Sequence, residues 1–476
     1  MAAKGWARWA LIASVLLVTP AATCHVHVPP NPPGGGLTSA MPSALRAGVA
    51  KVPLSLPTGT PLAGYGSAAR RLNPPDANPF NGYVMFKPAT AQLDLLFAKA
   101  LVMVNDTTKV AIVTVDSVGI LSDLVDRIHE KAVSLGSTIP RDNLVVSASH
   151  THSGPGTQTK LKFWELVGTD FLFKPLRDAF VNDCAEALYN AEQNLQLAKY
   201  GSGSDFLAGV TVNRRVGVSP TATPTDVDKE LGVIRIDKMD GTPLAVVWNF
   251  AIHGTAYGDS NLEFTPDVMG AVSAKVEVDL GVPALFANGA EGDTSPDGHG
   301  ATGIATLAPI IAAKIATIHA GIVTNPQIAL QCVSHVEPFG KATLDLSLNR
   351  LPAGSVDLDL ATLLTILNLG HVAFKMDKNW FENDFRFQAI RMNDTLLVPV
   401  PGEPIFVVGQ AMKVEGKALG FNRVFVFGLS NGHMAYITDE AEYNAGGYEG
   451  VATFFGPHTA DKVRAAAKTQ MVLVKP

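Results

Sequence analysis

The chain has 476 residues, 47% of them hydrophobic and 17% charged, enough apolar material for one large core or two ordinary ones. A net charge of −6 argues against the basic surface that nucleic acid binding demands, so no nucleic acid partner is expected. Forty-three Gly and 31 Pro imply many turns between elements, more than an all-helical protein would carry.

At the N-terminus, Lys4 and Arg8 precede the apolar run ALIASVLLV (Ala10 to Val18), and small residues follow. Residues 1–24 thus have the layout of a secretory signal. The run is too short to span a bilayer, which takes about 20 apolar residues. Cys24 stands where a lipoprotein signal carries its acylated cysteine, which leaves simple cleavage and lipidation both open. Residues 25–45, including HVHVPPNPPGGG, read as a disordered tether, and residues 46–476 as one domain. The expected location is outside the cytoplasm: secreted, periplasmic, or a lipoprotein at the cell surface. Cys184 reads as a buried thiol in a helix, and with Cys332 it defines no disulfide framework.

Strand-like and helix-like segments then alternate. KVAIVTVDSVGI (from Lys109) reads as a buried strand, LSDLVDRIHEKAVSLG as a helix, and NLVVSASH as a strand again. LGVIRIDK, PLAVVWNFAIHG and ALFANG follow as core strands, with MGAVSAKVEVDLG and GIATLAPIIAAKIATIHAG helical around them. FQAIRMNDTLLVPVPGE reads as two strands joined at Asn393 and Asp394, and RVFVFGLSNG as another. The pattern predicts an α/β fold with a mixed sheet flanked by helices.

Several strands run into polar residues. NLVVSA ends at His150, with His152 two residues on and expected on the same side; VVWNFAI ends at His253, and LLVPVPG at Glu403. In α/β sheets that edge is where ligands bind. Two imidazoles and a carboxylate suit zinc, whose catalytic sites use about three protein ligands and leave one position for water. Such a water loses a proton near neutral pH, and His152 would then bind substrate or shuttle a proton. The bland alternative is a set of separate structural histidines, because the candidates are about a hundred residues apart.

The runs SASHTHSGPG, NFAIHGTAYG, ANGAEGDTSPD, VPGEP and AYITDEAEYNAGGYEG occur in that order. Together they resemble the neutral/alkaline non-lysosomal ceramidase family, zinc amidases that cleave the N-acyl bond of ceramide. The likeness runs from about Ala47 through YEGVATFFGPHT. It implies one zinc ion held by His150, His253, Glu403 and Tyr436. It also implies that His152, Arg214 and Tyr448 surround the scissile amide, with Arg215 as the alternative to Arg214. Ser295 matches the serine the family holds essential, either as a nucleophile or to orient substrate while zinc-activated water attacks; the water route is the reading adopted. His299, His371, His433 and His458 are read as structural.

The resemblance has departures. Asp297 follows Ser295 and Pro296 where the family usually has Asn, and the sequence leaves no room for the β-sandwich domain that follows in typical members. VDLDLATLLTILNLGHVAFKM (from Val356) is read as a core helix, or else a lipid-facing lid. The expected partner is a ceramide-like lipid, with peripheral membrane association and no protein partner implied. The alternatives are a zinc amidase for other N-acyl compounds and a surface lipoprotein that binds lipid without catalysis.

Overall fold

Alternating apolar runs and turn residues place eight strands in one sheet of the computed structural model, which describes residues 41–57, 59–345 and 373–476. These are β1 (Arg46–Pro53), β2 (Phe97–Val104), β3 (Lys109–Val115), β4 (Leu144–Ala148), β5 (Gln196–Phe206), β6 (Glu230–Lys238), β7 (Pro243–Phe250) and β8 (Ala284–Asn288). Their order is β8-β7-β6-β5-β1-β2-β3-β4; β7–β8 and β3–β4 pair parallel and the rest antiparallel. A second sheet follows in the order β9 (Leu330–Pro338), β10 (Asp384–Met392), β11 (Thr395–Pro399), β12 (Arg423–Phe427), the last pair parallel.

Six helices exceed ten residues among the described residues: α1 (Ser122–Leu135), α2 (Lys174–Gln193), α3 (Asp267–Leu280), α4 (Gly300–Gly321), α5 (Phe406–Ala418) and α6 (Thr459–Leu473). The strand periodicity of two decides their placement. Ala100, Val102, Ala111 and Val113 point one way, under α1 and α2, while Val246, Trp248 and Phe286 pack under α3 and α4. The intervening residues Leu101, Ile112, Val247 and Leu285 point the other way, onto Ile390, Leu397 and Phe425 of the second sheet. The far face of that sheet, including Phe387, Leu396 and Val424, is covered by α5 and α6. The layers are therefore helix, sheet, sheet, helix. Being covered on both sides, β3, β4, β7 and β8 read as near-continuous apolar runs rather than alternating ones.

The α/β class with a mixed sheet is what the fold contains; a second sheet, not more helices, covers the inner face. Close packing of α2 on β1 depends on Gly48, where a Cβ would lie 2.2 Å from the Ala191 carbonyl oxygen. By length and composition α4 could cross a membrane, yet its Leu307, Ile311 and Ile315 lie in the core.

One expected boundary shifts. Ser43 and Ala44 pair with Ile328 and Gln327, and Leu45 is fully buried, so the last residues of the expected tether of residues 25–45 belong to the fold. The signal segment (residues 1–24), most of the tether, His371 and most of the apolar segment from Val356 lie outside the described residues, although the end of that segment, Ala373–Met376, is a strand rather than a helix. Cys184 is a buried free thiol in α2, and Cys332 is also free.

Candidate metal centre

The strand ends converge on one spot. β4 stops at Ala148, and His150 turns its side chain inward by adopting a left-handed backbone (φ 67°). Its side chain thus meets that of His152 through a turn, not through the strand alternation expected from sequence. His253 follows β7, Glu403 follows β11, and Tyr436 lies beyond β12, its backbone paired with that of Glu403. Leu429, Asn431 and Ala435 also have positive φ. Such conformations cost about 1–3 kcal/mol each and persist where surrounding contacts enforce them. Asn431 supplies some of those contacts, its Oδ1 accepting from the Val146 amide at 2.9 Å.

Donor atoms crowd together here. His150 Nε2 lies 3.1 Å from His253 Nε2 and 3.2 Å from a Glu403 oxygen, which is 3.4 Å from His253 Nε2. The Tyr436 hydroxyl is 3.4 Å from His253 Nε2, and His152 Nε2 is 3.4 Å from His150 Nε2. Each of the first two imidazoles donates from its far nitrogen: His150 Nδ1 to the Val118 carbonyl (2.6 Å) and His253 Nδ1 to the Glu291 carbonyl (2.9 Å). Their Nε2 atoms therefore carry lone pairs, and two lone pairs and a carboxylate oxygen face one another with no proton between them. A cation at their centre would relieve that repulsion. Donors about 2.0–2.1 Å from a tetrahedral ion stand about 3.3–3.4 Å apart; the separations among His150, His253 and Glu403, and that of Tyr436 from His253, run from 3.1 to 3.4 Å.

The electrostatics agree. Burial, with Arg214 and His150 nearby, lowers the His253 pKa to about 3. Burial and His150 push His152 well below its usual value. Burial alone would raise Glu403, but His150 beside it wins and holds it well below the carboxylate range. The His253 imidazole is thereby held neutral and the Glu403 carboxylate ionised, the forms in which such groups bind a metal. Burial raises Tyr436 well above 10, against the pull of Arg214.

Arg214, not Arg215, faces the site. Its Nη2 donates to the Tyr436 hydroxyl (2.9 Å) and the Gly292 carbonyl (2.8 Å), and its Nε to Glu449 (2.7 Å). Arg215 is buried between Glu442 and Glu449. The Tyr448 ring stands 5.3 Å from that of Tyr436, and burial raises its hydroxyl to about 12. His152 is held by its surroundings: its ring lies 4.6 Å from that of Tyr65, its carbonyl accepts from Arg70, and Gly64 lies against it.

Two expectations change. Ser295 lies on a short strand, Thr294–Pro296, paired with Thr211–Asn213, and is not among the residues lining the cavity over the metal centre. Its buried neighbours Thr294 and Pro296 take one side of that strand and Ser295 the other. His433 is not a remote structural histidine: its Nε2 is 3.5 Å from the second Glu403 oxygen, and Trp164 packs edge-on against it (4.6 Å). The signal for it was its place three residues before Tyr436 in one loop. Glu291 was also missed: it is fully buried, neither carboxylate oxygen has a partner, and burial with the Glu403 charge raises it well above 4.5. His299 and His458 are exposed.

Over these groups opens a cavity of about 460 Å³ whose walls are largely apolar, with Leu121, Leu124, Phe163, Val167, Val451 and Phe454 among them. A polar floor under an apolar vestibule suits a molecule with one polar reacting bond and a long apolar part.

A family model described as "Neutral/alkaline non-lysosomal ceramidase, N-terminal" matches residues 74–310 and 360–465. Neutral ceramidase B of Dictyostelium discoideum is 28% identical over 180 residues, 34% of this chain and 24% of that protein. Neutral ceramidase of Mycobacterium tuberculosis is 23% identical over 399 residues, 67% of this chain and 62% of that protein. The chain thus matches less than two thirds of the length of either relative. The crystal structure of neutral ceramidase from Pseudomonas aeruginosa superposes with a TM-score of 0.75 at 19% identity, covering 91% of this chain and 75% of that one. A ceramidase complexed with C2 matches equally, at 19% identity and TM-score 0.75, over 90% and 75% of the two chains.

Proposed function

Because this chain belongs to the neutral/alkaline non-lysosomal ceramidase family, we propose that it is a zinc-dependent amidohydrolase that cleaves the N-acyl bond of ceramide or a related lipid, releasing a fatty acid and an amine. The observation that carries the reading is the crowding of donors from His150, His253 and Glu403 at 3.1–3.4 Å, with the Tyr436 hydroxyl 3.4 Å from His253, beneath an apolar cavity. Zinc, when bound, polarises the amide carbonyl and acidifies a water toward a pKa of about 7.

The chain's own groups do the rest. His152, neutral and 8% exposed, is the acid/base candidate: it takes a proton from the attacking water and returns one to the departing nitrogen. Tyr448 is positioned at the cavity wall to donate to the oxyanion. Arg214 donates to the Tyr436 oxygen and so favours the anionic phenol that a metal ligand requires. Leu121, Phe163 and Phe454 exclude water from the acyl or amine chain. Ser295, on a strand paired with Thr211–Asn213, which leads directly into Arg214, assists by holding that segment in place. A covalent acyl adduct on Ser295 would overturn that part of the reading.

The deciding experiment combines metal analysis of the purified protein with turnover of a fluorescent ceramide. Zinc at about one per chain, and turnover lost on chelation and restored by zinc, is the expected result. Bound zinc without turnover of any N-acyl substrate would instead favour a lipid-binding role. We also propose export to the cell surface or beyond, with peripheral membrane association, supported by Lys4, Arg8 and the Ala10 to Val18 run and by the lipid substrate. Mass spectrometry of the mature N-terminus tests export and shows whether Cys24 is acylated.

A further inference from the structure

Glu403 presents two oxygens at the base of the cavity. One faces His150 and His253; the other has His433 beside it, with Nε2 at 3.5 Å. The His433 ring is fixed from several sides. Its Nδ1 accepts from the Ala435 N–H (3.3 Å), and its own backbone N–H donates to Glu382 Oε2 (2.8 Å). Glu382 Oε1 in turn accepts from the Ser122 N–H (2.6 Å) at the start of α1, so the loop is tied to that helix. Trp164 packs edge-on against the ring, and Gly119 leaves no space beside it, since a Cβ there would lie 2.4 Å from the ring's Cδ2. The Ala435 carbonyl accepts from the Glu403 N–H (2.9 Å), which ties the His433 loop to the Glu403 backbone.

Because Nδ1 is an acceptor, the ring proton sits on Nε2. Nε2 therefore offers Glu403 an N–H, not a lone pair, and acts on the carboxylate rather than on an ion. At 3.5 Å this is a charge–dipole contact rather than a full hydrogen bond. Both residues are buried, where such a contact counts for more than it does in water. We infer that His433 is a positioning residue of the metal centre: its N–H holds one oxygen of Glu403 and so keeps the other turned toward His150 and His253. The inference rests on the reading of those donors as a metal site. A carboxylate restrained in this way has less rotational freedom to lose when a cation arrives, so the restraint appears as metal affinity.

The test measures the zinc affinity of the purified protein by competition with a chelator. His433→Phe keeps a ring between Trp164 and Gly119 and removes the N–H; His433→Gln keeps an N–H at nearly the same place. Zinc affinity should fall about 10–100-fold in His433→Phe and return to within a few-fold of wild type in His433→Gln. The Tm of the zinc-free protein, read alongside, should be alike in all three, which separates positioning from support of the fold. If His433→Phe does not fold, His433→Leu takes its place, with the same loss expected. Unchanged affinity in the variant without the N–H, whatever its Tm, overturns the inference and leaves the zinc site standing. Equal losses in His433→Phe and His433→Gln mean that the imidazole binds the ion itself or only fills space, and overturn it as well. A wild-type protein that takes up no zinc refutes the metal reading, and this inference with it.

Discussion

Gly64→Ala tests whether the placement of His152, rather than the metal alone, drives the reaction. At Gly64 (φ 108°) a Cβ would lie 2.7 Å from both Cγ and Nδ1 of His152. Carbon atoms ordinarily approach to about 3.5 Å, so something must give by about 0.8 Å. The His152 backbone is pinned, its N–H donating to the Gly254 carbonyl (3.0 Å) and its carbonyl accepting from Arg70 (3.2 Å), so the ring must swing. A displacement of about 1 Å in a catalytic group costs on the order of 100-fold in rate. The expected result is a fall in kcat/KM of that size on a soluble short-chain N-acyl amine, mostly in kcat. Zinc content should be unchanged, since His150, His253, Glu403 and Tyr436 are untouched. Near-native kcat/KM in a folded variant would refute the role given to His152; loss of zinc along with activity would refute the separation of that role from metal binding.

Three further outcomes follow from the same geometry. Chelation at a zinc concentration about 1,000 times its Kd removes about 4 kcal/mol of stabilisation, and for about 400 ordered residues calorimetry should show Tm falling by about 5 °C; no change would argue against a resident ion. Arg215→Met leaves Glu442 and Glu449 buried without their shared cation and should cost about 3–5 kcal/mol in denaturant unfolding, whereas Arg214→Met should mainly lower kcat. Burial raises Asp267 from 3.8 to about 6, so the folded state holds that proton more tightly than the unfolded one. Its contribution is complete below pH 3.8 and lost as pH rises through 6, at most about 3 kcal/mol, and Asp267→Asn should flatten the slope of Tm against pH in that window.

Much of the candidate centre was legible because its donors sit where apolar runs end. His150, His253 and Glu403 each follow a strand core, and that pattern needs only local sequence. Tyr436 was legible only through resemblance, since a lone tyrosine after a strand carries no local mark of a ligand. His433 escaped for a related reason: a single histidine in a loop looks like any other until the fold brings Glu403 to it. The strands of the second sheet were readable as strands, but alternation cannot tell which sheet a strand joins, so the double layer stayed hidden. Whether Arg214 or Arg215 faced the site depended on the direction of one turn, which sequence does not encode locally.

The donors of the metal centre are far apart in the chain: His150 and His253 by 103 residues, His253 and Tyr436 by 183. Only Glu403 and Tyr436, 33 positions apart and paired strand to strand, come from one short stretch, so no single small loop holds the set as it does in a zinc finger. Closing loops of that length is slow and comes late. During synthesis the full donor set of the proposed site therefore cannot assemble until the last quarter of the polypeptide has emerged and both layers have docked. On the proposed zinc reading, loading would be a late event of maturation, and a truncated chain ending before Tyr436 should be inert and metal-free however well its first half folds.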